Sequence, residues 1–332
     1  MEFVTKIIKD IETAALEIIS GNVISLPTET VYGLAADALN VDAVMKIFEI
    51  KNRPSFNPLI VHIESINSIS KYGEQIPEEL YKIAEKYSPG PITYVVKKKR
   101  LIPDIVTAGL ESVALRIPAH ALFREVIRIT KKPIAAPSAN MFGRISPTNA
   151  LDVLKELKGK INYILDGGEC TIGIESTVIS FIDERITILR PGFVTKEELE
   201  DISGMQINTV YSNQKNAGNN PIEEPTGLLS PGMLNSHYAP KTPLYITDDL
   251  EHFQEYNSPE AGVINLEKIG SLHNIAINLF RLLREYDEKN YKYLVTSKVI
   301  NSGIGIAVND RLVKASTGLV RIIKNDIKFI GK

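Results

Sequence analysis

The chain has 332 residues, 44% of them hydrophobic and 23% charged, which is ordinary globular composition and enough for two cores. Thirty-eight basic against forty acidic residues leave no global field that would draw it onto nucleic acid or an acidic membrane, so any RNA contact must be local. The single cysteine, Cys170, excludes an internal disulfide and a multi-cysteine zinc site. No segment is long and apolar enough to span a bilayer, and the expected compartment is the cytoplasm.

In chain order, the first twenty residues carry charges every few positions with apolar residues at helical spacing, which predicts an amphipathic helix over 5–20 rather than a signal peptide. Strand VISL (23–26), a helix at 41–51, strand PLIVHI (58–63) and a helix at 77–87 follow. Strands ITYVVK (92–97) and VALRIP (113–118), a helix at 120–130, strand PIAAPS (133–138), a helix at 148–157 and strands YILDG, STVISF and ITILR complete the first region. Strands that succeed one another without helices near its end predict a mixed α/β sheet.

The predicted domains are a catalytic domain over 1–203, a polar linker over 204–240 rich in Asn, Pro, Gly and Ser, and a smaller α/β domain over 241–332. In the last, PLYIT, a helix near 248–256, GVINL, a helix through NIAINLFRLLREYDEKN, YLVTSK and a final helix at 305–316 repeat the strand and helix rhythm.

Several sites are excluded by motif. GxxxxGK[ST], HExxH and GxSxG are absent, and GIGIAVN (303–309) lacks the third glycine of a dinucleotide fingerprint. No metal site is expected in the protein itself. Five segments carry chemistry instead. LPTETVYGL (26–34) places hydroxyls and Glu29 at a strand's end, where α/β sheets bind ligands, although an ST-turn explains it equally. EIKNRPSFNPLIVHI (49–63) sets Lys51 and Arg53 two apart in a proline-stiffened loop with Asn57 and His62, a compact cationic pair for phosphate or a solvated basic loop.

PIAAPSANMFGRISPTNA (133–150) brings Ser138, Asn140, Ser146 and Thr148 ahead of a helix, an arrangement suited to an anion cradle or to simple capping. Ser176 and Thr177 start one strand and Arg190 ends another. Arg116 lies in an otherwise apolar strand and needs an anionic partner, which a ligand carboxylate or phosphate would supply as well as an acidic side chain.

Together, in this order, the segments resemble the YrdC-like family in its two-domain form. Lys51-Asn52-Arg53 followed by Ser138-Ala139-Asn140 is the family's hallmark, supported by PTETVYGL, NPLIVH, PGP (89–91), VALRIP, IESTV and LRPG. SPGMLNSHYAP (230–240) and GIGIAVNDRLVKAS (303–316) match the second half.

The resemblance implies a twisted, open mixed sheet with a large concave cavity and a small Rossmann-like second domain. It implies an enzyme, a nucleotidyltransferase that makes a threonylcarbamoyl adenylate from L-threonine, bicarbonate and ATP for tRNA modification. L-Threonine would lie near Thr30, His62, Arg116, Ala136 and Ser176, with Arg116 on its carboxylate. ATP would lie near Lys51, Arg53, Asn57, Ser112, Ser138, Asn140, Ser146 and Arg190, with Tyr238 closing over it. Lys51, Arg53, Ser138 and Asn140 are the expected catalytic set.

Mg²⁺ is expected to accompany ATP, and a tRNA-modifying transferase is the expected downstream partner of a monomer with at most weak direct contact to tRNA. The linker end, with Met233, Leu234 and Tyr238, suits a lid. The alternatives are an RNA-binding module, to which KKKR (97–100) would contribute, and a carbamoyltransferase, whose accompanying zinc-finger and acylphosphatase-like segments are not visible.

Overall fold

A computed structural model describes residues 4–182, 185–210, 237–324 and 326–332. The first domain contains β1 (Lys6–Ile8), α1 (Ile11–Ile19), β2 (Ile24–Leu26), β3 (Gly33–Asp37), α2 (Val41–Lys51), β4 (Ile60–His62), α3 (Ile69–Tyr72), β5 (Gly73–Glu74), α4 (Glu78–Tyr87) and β6 (Ile92–Lys98). It continues with α5 (Asp104–Thr107), β7 (Ser112–Arg116), α6 (Ala121–Thr130), β8 (Ile134–Ala135), α7 (Ala150–Leu157), β9 (Tyr163–Leu165), β10 (Thr177–Ser180), β11 (Thr187–Arg190), α8 (Lys196–Ser203) and β12 (Asn208–Thr209). The second domain holds β13 (Leu244–Thr247), α9 (Leu250–Tyr256), β14 (Ala261–Ile264), α10 (Leu272–Asp287), β15 (Tyr293–Ser297), α11 (Ile304–Ala315), β16 (Gly318–Ile323) and β17 (Asp326–Gly331).

Among the described residues the strands of the first domain form one mixed sheet in the order β1-β9-β2-β3-β8-β4-β7-β6-β10-β11-β12, with β5 added on β6. One face is covered by α2, α4, α7 and α8 over a core that includes Ile47, Leu80, Val153 and Leu199. Helices α1 and α6 cover another part through Ala14, Ile18, Phe123 and Val126. In the second domain β14-β15-β13-β16 are parallel with β17 antiparallel at the edge, so the Rossmann-like expectation holds there.

Four sequence expectations need correction. The helix proposed over 5–20 begins only at Ile11, because Asp10 caps it by accepting from Thr13 N; Lys6–Ile8 instead pair in parallel with β9. The strand β3 begins inside PTETVYGL and is not marked in the sequence, because Gly33–Asp37 lack the β-branched side chains typical of strands. The first domain reaches past residue 203, since Asn208–Thr209 pair with β11. Beyond the last predicted helix, GLVRII and DIKFIG form the β16–β17 hairpin.

The two domains are joined by burial and charge. Gly173, at φ +76°, abuts α10 so closely that an added Cβ would stand 2.1 Å from Ile277 O. Arg284 of α10 lies 3.0 Å from Glu156 and 3.8 Å from Asp152 of α7, and Val31, Ile145 and Ile174 share a core with α10 and α11.

Candidate active site

The Lys-Asn-Arg signature sits at a helix end. Helix α2 starts on Asn40, whose Oδ1 accepts from Ala43 N, and stops at Asn52, which takes left-handed geometry at φ +51°. That turn sends Lys51 and Arg53 inward. Lys51 Nζ donates to Ser138 O at 2.5 Å and to Asn140 O, which ties the two halves of the signature together. Arg53 Nη2 donates to Asn57 Oδ1 at 2.7 Å and Pro58 O at 2.8 Å, and its Nε to Asn57 O at 3.1 Å. Burial, and secondly Arg53, pushes the Lys51 ammonium well below its usual range; burial draws Arg53 down to about 9.

Strands β4 and β7 are parallel neighbours with His62 opposite Arg116. Because strand side chains alternate, Ile60 and His62 on one strand and Ala114 and Arg116 on the other share the concave face. Arg116 Nη2 donates to Glu29 Oε1 at 2.7 Å and Thr30 Oγ1 at 2.9 Å, and Nε to Gly90 O at 3.3 Å. The buried arginine thus has a protein anion for a partner, and its burial needs no ligand. Among the described residues its Nη1 makes no hydrogen bond, and Arg116 lines the cavity. His62 is held neutral, its pKa brought down to about 3 by burial and then by Arg116.

Arg190 donates to Ser176 O at 2.9 Å and Ser176 Oγ at 3.1 Å, and Ser176 Oγ lies 2.8 Å from Thr93 Oγ1. The close approach of these strand ends requires Gly192, where a Cβ would stand 2.3 Å from Thr177 N. His237 and Tyr238, at the end of the linker, line the cavity. His237 N donates to Lys314 O in the second domain and Ala239 N to Gly143 O in the first, so this segment is held from both sides.

These elements surround a cavity that opens to solvent and is lined by Arg53, His62, Arg116, Ala136, Ser138, Arg190 and Tyr238 among others. Asn57 Nδ2, Asn140 Oδ1, His237 Nδ1 and Tyr238 Oη are buried without a hydrogen-bond partner among the described residues, atoms that a polar ligand would satisfy.

A family profile described as telomere recombination, covering Sua5, YciO and YrdC proteins, matches residues 17–192. The chain belongs to the Sua5/YciO/YrdC family. A second profile, described as threonylcarbamoyl-AMP synthase, C-terminal domain, matches residues 194–317 and marks the two-domain form of that family. Threonylcarbamoyl-AMP synthase of Bacillus subtilis (strain 168) is 39% identical, over 93% of this chain and 94% of its own. The enzyme of the same name from Pyrococcus abyssi is 38% identical over 95% of each. The crystal structure of P. abyssi Sua5 complexed with L-threonine shares 35% identity and a TM-score of 0.84, covering 96% of this chain and 99% of that one.

Within this Sua5/YciO/YrdC fold, the residues expected from sequence fall into three groups. Those named above line the cavity. Thr30, Lys51, Asn57, Asn140, Ser146 and Ser176 lie buried in its supporting wall, with Ser146 Oγ donating to Glu175 Oε1 at 2.5 Å. Ser112 is not brought to it: half-buried at the far end of β7 opposite Lys97, it shares Arg116's face but stands about 13 Å along the strand.

The anion cradle ahead of α7 also fails in its simplest form. Asn149 caps that helix by accepting from Asp152 N at 2.8 Å, and Asp152 Oδ2 accepts from Thr148 N at 3.2 Å. Sequence reading missed Thr28, Glu175 and His237 as cavity residues. His237 adjoins Tyr238 and Glu175 adjoins Ser176, so adjacency to a chosen residue was the available signal. Met233 and Leu234 lie outside the described residues.

The basic run at 97–100 is largely engaged. Lys97 pairs with Glu74 at 3.2 Å, buried Lys98 with Asp104 at 2.5 Å, and Lys99 donates to Ser70 O at 2.6 Å. Cys170 is buried and its thiol is pushed up by that burial, which removes it as a nucleophile.

Proposed function

We propose that this chain condenses L-threonine, bicarbonate and ATP into threonylcarbamoyl-AMP, with release of pyrophosphate. The observation that carries the reading is the convergence of three buried arginines, Arg53, Arg116 and Arg190, on a cavity also lined by Thr28 and Ser138, with Lys51 buried in the wall behind them. Such a site suits a carboxylate and a polyphosphate together. The full-length likeness to proteins named for this product supports the same chemistry.

Threonine's amine adds to bicarbonate and water departs, giving a carbamate. One carbamate oxygen attacks the α-phosphorus of ATP, and the bond to the bridging oxygen breaks as pyrophosphate leaves. Arg116 orients the threonine carboxylate, while Thr30 and Ser176 hold the surrounding wall. Lys51, Arg53 and Arg190 neutralise phosphate charge as the transition state spreads it. Neutral His62 offers a ring nitrogen without adding another positive charge. His237 and Tyr238 in the cavity lining limit the access of water to the carbamate and the mixed anhydride.

Glu29 acts as an orienter, since its carboxylate is bound to Arg116 and to Ala119 N. Among the described residues no three His, Cys, Asp or Glu side chains gather into a metal site. In this reading Mg²⁺ enters with ATP as its counter-ion, held by phosphate and water. The mixed anhydride is a group donor, so the next enzyme is a transferase acting on adenosine in tRNA, and the cytoplasm is where both meet.

The test is pyrophosphate release by the purified protein with Mg-ATP, bicarbonate and L-threonine, using serine as the control amino acid. Release that depends on both threonine and bicarbonate is expected. Release indifferent to bicarbonate would contradict the reading. An RNA-binding role is the weaker account, because three of the four residues in the basic run are engaged within the protein.

A further inference from the structure

Helix α11 of the second domain packs against the first domain, and from it Arg311, fully buried, reaches Glu175 in the cavity wall. Its Nε donates to Glu175 Oε2 at 3.2 Å, its Nη1 to Pro191 O at 2.5 Å and its Nη2 to Glu175 O at 3.4 Å. Its guanidinium carbon stands 5.7 Å from the Tyr238 ring centroid. Glu175 lines the cavity, and its other oxygen accepts from Ser146. Glu175 precedes Ser176, and Pro191 follows Arg190, so a single planar fork grips the two peptides next to the hydrogen-bonded Ser176–Arg190 pair.

We propose that Arg311 is a positioning residue for nucleotide binding: it neutralises Glu175 in the cavity wall and pins the peptides that carry Ser176 and Arg190. The second domain is then part of the site rather than an appendage. This rests on the reading of ATP as the ligand. Two effects should follow from removing Arg311. A buried carboxylate loses its counter-charge, and that carboxylate faces the place a polyphosphate must occupy, where like charges repel. Arg311 Nη1 also donates to Asp310 Oδ2 at 3.0 Å, but Asp310 Oδ1 lies 2.7 Å from Lys314 Nζ, so that carboxylate keeps a counter-charge when Arg311 is removed.

The experiment is a calorimetric titration of the full chain with Mg-ATP for wild type, Arg311→Gln, Glu175→Gln and the double variant, with thermal unfolding of each. Arg311→Gln is expected to weaken ATP binding about tenfold, and the double variant to recover to within about threefold of wild type. Recovery on removing the facing charge is the readout that a purely structural arginine would not give. Glu175→Gln alone is expected to tighten ATP binding. A double variant as weak as Arg311→Gln, or an Arg311→Gln that binds like wild type, would overturn the proposal. Should Arg311→Gln fail to fold, weaker binding in Glu175→Gln would overturn it on its own.

Turnover recorded in parallel separates the two readings. A wild-type protein that binds Mg-ATP and makes no threonylcarbamoyl-AMP sinks the assigned reaction and leaves Arg311 to be judged by binding. A wild-type protein that binds no ATP overturns both.

Discussion

Glu29 and Arg116 form a buried pair beneath the cavity, with Arg116 Nη2 2.7 Å from Glu29 Oε1 and the second carboxylate oxygen accepting from Ala119 N at 3.0 Å. Both side chains are less than a tenth exposed, so the pair depends on its partners rather than on water. Removing one member strands the other. Glu29→Ala is expected to cost about 3–5 kcal/mol of stability, measured by denaturant unfolding. A loss below about 1 kcal/mol would mean that Arg116 is compensated by another group.

Asn52 sets the direction of Lys51 and Arg53 through its positive φ of 51°. Asn52→Gly should fold nearly as well as wild type, whereas Asn52→Val should lose about 1–2 kcal/mol, because a β-branched side chain clashes in that region. The comparison of the two by thermal unfolding isolates the backbone effect. Equal behaviour of both variants would show that the turn is not constrained in this way.

Lys51 is depressed by burial and then by Arg53, and a bound polyphosphate would draw it back up toward its usual range. ATP binding is therefore expected to take up protons, seen as a difference in binding heat between buffers of unlike ionisation enthalpy. Lys51→Met should reduce that uptake and lower kcat/KM by about 100-fold or more. Unchanged proton uptake in the variant would assign the titration elsewhere.

His62 supplies a pH dependence of stability. Its folded pKa, about 3, lies below the unfolded value of 6.5, so between these values the unfolded chain binds a proton that the folded chain refuses. Stability from this group is full above pH 6.5, falls as the pH drops toward 3, and levels off below. The slope is about 1.4 kcal/mol per pH unit for one proton. His62→Gln should flatten the acid limb by that amount in unfolding experiments at graded pH. His237, also depressed by burial, keeps its own share in the variant.

Much of this site was legible in the sequence because it depends on local chemistry. Lys51 and Arg53 flank the end of a helix, and Arg116 stood out as a charge in an apolar strand. What escaped depends on distant contacts. Ser112 shares a strand face with Arg116, yet it stands at the other end of β7, opposite Lys97. Glu29 became Arg116's partner only when β7 came alongside the loop after β2. Glu175 and Arg311 are 136 residues apart, and no spacing in the chain announces their meeting. The edge strand at Lys6–Ile8 was read as helix because three residues before a cap carry too little periodicity to separate the two.

The most direct test of the account uses ¹³C-labelled bicarbonate with ATP, Mg²⁺ and L-threonine, with mass spectrometry of the adenylate. The account predicts that the labelled carbon appears in an adenylate one mass unit heavier than its unlabelled counterpart, together with pyrophosphate. An adenylate of threonine itself, carrying no carbon from bicarbonate, would contradict it, since the cavity would then activate the amino acid's own carboxylate.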